Sequence, residues 1–171
     1  LTAPMDYTPG AMHNATRQDY HPIDDNPMSQ GTRVHQMAMY TVFDAPLQML
    51  SDKPSLYERF PECTDFISKV PTVFDDCRTL QGEMGEYIVT AKRKGATWFV
   101  GAMTSWKERE LELKLDFLDN ATYKAVIFRD GVNASRNAED YKLEEKTVKK
   151  GDVLKITMKS GGGWTARFEK M

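Results

Sequence analysis

Strict alternation of apolar and polar residues dominates the second half of the chain. Leu111, Leu113, Leu115 and Phe117 alternate with Glu112, Lys114 and Asp116, which predicts a strand with one face buried and the other wet. Trp164, Ala166 and Phe168 alternate in the same way with Thr165, Arg167 and Glu169. Residues 87–92 and 98–103, rich in β-branched and aromatic side chains, flank Lys94, Gly95, Ala96 and Thr97, a segment of hairpin-loop length. The second of these runs is apolar on both pleat faces, with Trp98, Val100 and Ala102 on one and Phe99 and Met103 on the other. It is therefore expected in a covered, central position. Further strands are predicted over residues 123–128, 143–149 and 153–158, the middle one polar enough for an edge. About seven strands joined by turns, with no helical period between them, predict a mostly β domain over residues 76–171. Its architecture should be an antiparallel β-sandwich of two facing sheets, with Trp98, Leu113, Leu115, Ile127, Ile156 and Phe168 inside.

The first half has a different period. Val34, Met37, Ala38, Thr41 and Val42 fall at helical spacing, predicting a helix over residues 32–43 with Thr32 or Ser29 as its N-cap and an end before Pro46. Leu47, Gln48, Met49 and Leu50 form a short apolar run whose length predicts a buried strand. Two short helices follow, one from about Pro54 to Phe60 with Asp52 or Lys53 as its entry, and one from Pro61 or Glu62 to about Lys69 with Pro71 as its stop. Helix, strand, helix in so short a space reads as one unit of an α/β structure. Residues 1–31, broken by Pro4, Pro9, Gly10, Pro22 and Pro27, read as loop.

Composition adds mainly exclusions. The chain has 171 residues, 40% hydrophobic and 28% charged, with a net charge of -2 and interleaved signs, so no footprint for nucleic acid or an anionic membrane stands out. No apolar run approaches the roughly 20 residues a membrane helix needs. The chain opens at Leu1 with neither an initiator Met nor a basic-then-apolar leader, and is expected to be part of something longer. Cys63 and Cys77 make no disulfide framework, and neither spacing nor context demands a bridge. His13, His21 and His35 lie among Asp6, Asp19, Asp24 and Asp25, but their spacing matches no zinc or calcium-loop pattern. They read as solvated loop histidines. Gly161, Gly162 and Gly163 stand between strands with no Lys-Ser/Thr behind them, so they read as a flexible connection rather than a phosphate loop. Residues 130–141 form the longest polar loop of the β-rich half, read as a structural loop held by Asx-type bonds rather than a sugar site.

Several longer motifs run in order through the chain. They include Pro4-Met5-Asp6-Tyr7-Thr8-Pro9-Gly10, Gly31-Thr32-Arg33, Pro46-Leu47-Gln48-Met49-Leu50, Val70-Pro71-Thr72, Trp98-Phe99-Val100-Gly101-Ala102 and Gly161-Gly162-Gly163-Trp164. Together they resemble the C-terminal portion of glycoside hydrolase family 97, the bacterial α-glucosidases and α-galactosidases. The resemblance implies that residues 1–75 are the end of a catalytic (β/α)₈ barrel and residues 76–171 a C-terminal β-sandwich domain. Residues 32–43 would be the seventh barrel helix, residues 47–50 the eighth strand and residues 62–69 the last helix. Barrel chemistry sits at the C-terminal ends of the strands, which brings Asp6, Tyr7 and Asp52 near the catalytic face. The resemblance implies two catalytic carboxylates and a calcium ion for the parent, and places the residues that supply them upstream, including a Glu-Gly-x-x-Gly-x-Glu loop matched by nothing here. No catalytic or metal residue is therefore assigned in this chain, and Asp6 and Tyr7 are offered only as substrate-side loop residues. The expected parent cleaves α-glucosidic or α-galactosidic bonds in oligosaccharides, in the periplasm or secreted. The expected partners are the remainder of the catalytic domain, the oligosaccharide substrate, and other copies of the isolated piece, which would self-associate through uncovered apolar stripes. The alternative is a stand-alone carbohydrate-binding β-sandwich module, for which a helix-strand-helix segment before Pro71 would have no use.

Overall fold

The computed structural model describes residues 4–171. After a two-residue parallel bridge, β1 (Asn14–Ala15) with β2 (Ser29–Gln30), come three helices: α1 (Arg33–Val42), α2 (Pro54–Arg59) and α3 (Pro61–Ser68). Thr32 caps α1, its side chain accepting from the His35 N–H, and prolines open α2 and α3 where a missing N–H costs nothing. The remaining strands are β3 (Asp76–Glu83), β4 (Tyr87–Lys94), β5 (Thr97–Thr104), β6 (Arg109–Lys114), β7 (Thr122–Asp130), β8 (Tyr141–Lys149), β9 (Val153–Met158) and β10 (Gly163–Lys170). Gly95 turns the β4–β5 hairpin at φ 57°, as its position between the two runs predicts.

The two sheets are unequal. Six strands form one antiparallel sheet in the order β3-β4-β5-β10-β7-β8, while β6 and β9 pair alone across its inner face. The chain leaves the large sheet after β5 and again after β8, and the two excursions pair with each other. The last strand then returns between β5 and β7. Residues alternating inward from both sheets, among them Trp98, Val100, Leu113, Leu115, Ile127, Ile156, Trp164 and Phe168, form one core. β3 has no alternating apolar pattern to announce it. It exists because β4 offers it a partner, with a register shift between Thr79 and Gln81.

What covers the other face of the large sheet is α1. Met37, Phe66, Phe99, Val126 and Phe128 belong to a second core, shared between helices and sheet. α1 lies close: a Cβ on Gly101 of β5 would stand 2.9 Å from Val42 Cγ2 and 3.0 Å from the Ala38 carbonyl oxygen, and one on Gly163 would stand 2.6 Å from the His35 backbone. This corrects two expectations. The run at residues 161–163 is no flexible connection, since all three glycines are buried and the Gly161 carbonyl accepts from the Thr32 N–H at 2.9 Å. His35 is no solvated loop histidine either. It lies in α1, half-buried, with Nδ1–H donating to the Gly162 carbonyl at 3.0 Å, and burial pulls its pKa down.

A third expectation also changes. Residues 47–50 do not form a strand: they join no strand ladder among the described residues, and Leu47 and Leu50 are 67% and 51% exposed. A strand exists only through neighbours that take its backbone bonds, and none is present here.

Candidate functional site

Tyrosines assemble the face where the loop over residues 4–15 meets α1 and α2. The half-buried Tyr7 donates from its hydroxyl to the Met39 carbonyl at 3.1 Å and sets its ring edge-on to Phe43 at 5.0 Å. Burial pushes its pKa up to about 12. Tyr40 reaches the Pro9 carbonyl at 3.0 Å and the Met49 carbonyl at 3.2 Å, so one hydroxyl ties the loop to the segment over residues 47–50. Tyr57 donates to the Gly10 carbonyl at 3.0 Å and accepts from the Asp52 N–H at 3.2 Å. Gly10 makes this packing feasible: its φ is 87°, and a side chain there would collide with the Tyr40 hydroxyl.

The carboxylates of this face are not free to act in concert. Asp52 Oδ2 accepts from the Met12 N–H at 2.5 Å, and Asp6, Asp24 and Asp25 are exposed. Among the described residues no group of three or more His, Cys, Asp or Glu side chains converges to hold a metal ion. Cys63 is buried, Cys77 is exposed, and both are free. Burial drives the Cys63 thiol up to about 11, so it is inert.

Sequence reasoning missed the groups that join this face to the sandwich. α1 carries no acid in its first turn and no base in its last, and the sheet supplies both. At the N-terminal end, buried Asp130 of β7 accepts from the Thr32 hydroxyl at 2.7 Å, the Lys159 N–H at 2.8 Å and the Gly163 N–H at 3.2 Å. Burial pushes the Asp130 pKa up to about 7, against the pull of those donors. At the C-terminal end, buried Lys92 of β4 donates to the Phe43 carbonyl at 3.1 Å and to Asp44 Oδ1 at 2.5 Å. The readable signal was indirect: a short helix with no charge of its own to complement its dipole.

A third tie runs through the loop between β7 and β8. Glu139 Oε1 lies 2.9 Å from His13 Nδ1, and Oε2 lies 3.0 Å from Arg33 Nη2. Arg33 is buried at 2% exposure, with its guanidinium 3.8 Å above the centre of the Phe60 ring. Trp98 and Trp164 are core, as their alternation predicts, while Trp106 is partly exposed under the Arg17 guanidinium.

Residues 73–169 match a protein-family model described as glycosyl-hydrolase 97 C-terminal, oligomerisation. Over 169 residues the chain is 49% identical to the retaining alpha-galactosidase of Bacteroides thetaiotaomicron, an alignment spanning 99% of this chain and 26% of that protein. It is 25% identical over 162 residues to a probable retaining alpha-galactosidase of Streptomyces bingchenggensis, spanning 95% of this chain and 23% of that protein. A solved glycoside hydrolase family 97 enzyme from Pseudoalteromonas sp. strain K8, a variant in complex with panose, superimposes with a TM-score of 0.89 at 33% identity, over 99% of this chain and 27% of that one. The chain thus spans about a quarter of the length of the relatives it matches. With the sandwich inside the matched family model and the helical segment inside the longer alignments, the chain belongs to glycoside hydrolase family 97.

Proposed function

We propose that this chain is the C-terminal part of a retaining α-galactosidase, in which the sandwich is a structural domain that clamps the last helices of a (β/α)₈ barrel. The observation that carries the reading is the segment over residues 47–50. It is an apolar stretch of strand length between α1 and α2, exposed and unpaired here, and it fits the place of a barrel strand whose neighbours come from the remainder of the catalytic domain. The 49% identity to a retaining alpha-galactosidase favours α-galactosides over α-glucosides as substrates.

Retaining hydrolysis needs a nucleophilic carboxylate and an acid/base carboxyl about 5–5.5 Å apart across the scissile bond. On the face built by the loop over residues 4–15, the described residues offer Asp52, already held by Met12, and the exposed Asp6, Asp24 and Asp25, and the reading puts the catalytic pair in the parent's other segments. Asp6 and Tyr7 border the substrate side: Asp6 is free to meet a sugar hydroxyl, whereas Tyr7 acts by holding the loop on α1. A calcium ion in the parent would take its ligands from segments outside this chain, as the family resemblance implies. A periplasmic or secreted location goes with an oligosaccharide substrate. The word oligomerisation in the family description favours the sandwich as the self-associating part.

The test compares the 171-residue chain with the full-length gene product on aryl α-galactosides and α-glucosides, with and without calcium. Turnover is expected from the longer protein alone, and faster on the galactoside. Turnover by the shorter chain that Asp52→Asn abolishes would overturn the reading.

A further inference from the structure

Glu139 belongs to the sandwich by position, yet both of its carboxylate oxygens are spent on the barrel-end segment. Oε1 meets His13 Nδ1 at 2.9 Å and accepts from the Asn14 backbone N–H at 3.3 Å. Oε2 meets Arg33 Nη2 at 3.0 Å, and that same nitrogen donates to the Met12 carbonyl at 2.5 Å. The Met12 N–H in turn donates to Asp52, on the segment that leads into α2. Three consecutive residues, Met12, His13 and Asn14, are therefore gripped from the β7–β8 loop, from α1 and from Asp52. Arg33 has no freedom to find another partner, because it is buried against Phe60 and its Nε already lacks a hydrogen bond. Removing Glu139 strands a buried guanidinium and releases the backbone at Asn14.

We propose that Glu139 is a positioning residue through which the sandwich sets the loop at the catalytic end of the parent's barrel, and that its loss acts on turnover rather than on substrate affinity. The inference rests on the proposed function, since it takes residues 8–15 and Asp52 to border the substrate site. The loop need not touch the reacting bond. Displacing a supporting element by about 1 Å is enough to cost up to about a hundredfold in rate, because the transition state tolerates less misalignment than the ground state.

In the full-length enzyme, Glu139→Ala is expected to lower kcat on an aryl α-galactoside about ten- to a hundredfold with KM within about twofold. Glu139→Gln keeps an acceptor for the Asn14 N–H at the same size, so it should fall between the two and carries the same test if the alanine variant does not fold. Amide exchange at Met12 and Asn14 should quicken in Glu139→Ala while amides of β5 and β10 keep their protection. A folded variant with kcat within about twofold of the wild type would overturn the proposal, since a merely structural tie would lower Tm and leave the turnover of folded enzyme alone. Wild-type Asn14 exchanging at an unprotected rate would overturn it as well. Failure of the wild-type enzyme on every α-galactoside would instead sink the proposed function, and the Asn14 exchange would then decide the clamp by itself.

Discussion

The two regions of this chain use the same apolar residues to opposite effect. In the sandwich, each inward position finds its partner within the chain: Leu113 of β6 pairs with Leu154 of β9, Ala166 of β10 lies between Val100 and Ile127, and Leu115 and Ile156 are wholly buried. In the helical region before Pro71 only one side is finished. α1 presses Met37 and Val34 into the shared core, while Leu47, Met49 and Leu50 on the segment after it stand in solvent. A strand's stability comes from cross-strand pairs and covered faces, not from its own composition. The same pattern therefore folds into a sheet in one region and remains an extended segment in the other.

The sharpest way to break this comparison is to hollow out the closed region. Leu115→Ala should destabilise the chain by about 2–5 kcal/mol in denaturant titration, because the site is fully buried and hemmed in by both sheets. A loss below about 1 kcal/mol would mean that the sandwich core is not what holds the chain together. Next in size is the seam. Gly101→Ala puts a methyl against Val42 and the Ala38 carbonyl, and should cost about 1–3 kcal/mol by pushing α1 off the sheet. Near-ultraviolet circular dichroism of the tyrosines packed around α1 should report the release before the sandwich strands melt.

Titration separates the regions further. Asp130, at the seam, binds its proton more tightly folded than unfolded, with a pKa raised by burial from 3.8 to about 7. Its contribution to stability is therefore greatest at low pH and declines as pH rises from about 4 to about 7. Glu144, on β8 within the sandwich, behaves oppositely. Burial alone would raise its pKa, but hydrogen bonds from Arg129, Lys146 and Lys142 outweigh it and lower the value to about 2. Its stabilising contribution is present above the ordinary carboxylate range and is lost as pH falls toward about 2. Asp130→Asn should flatten the slope between pH 4 and 7 in a stability-versus-pH series, and Glu144→Gln the slope below pH 4. Equal slopes in wild type and both variants would contradict these assignments. The smallest effect belongs to the open region: Leu50→Ala should change the stability of this chain by no more than about 0.5 kcal/mol. In the full-length protein the same change should cost several times more, if residues 47–50 are a barrel strand there.

Most sandwich strands, β3 excepted, the α1 boundaries and the prolines that open α2 and α3 were determined by local sequence, because alternation, capping and a missing N–H act over a few residues. Only the tertiary structure decided that six strands gather in one sheet and two in the other, since the return of β10 between β5 and β7 is a long-range pairing with no local signature. It also decided that Asp130 and Lys92 serve the two ends of α1 and that Glu139 reaches His13 and Arg33. Each of these is an isolated polar residue in the sequence. Its partner lies 48 to 126 positions away, and nothing short of the folded chain brings these polar side chains together from that distance.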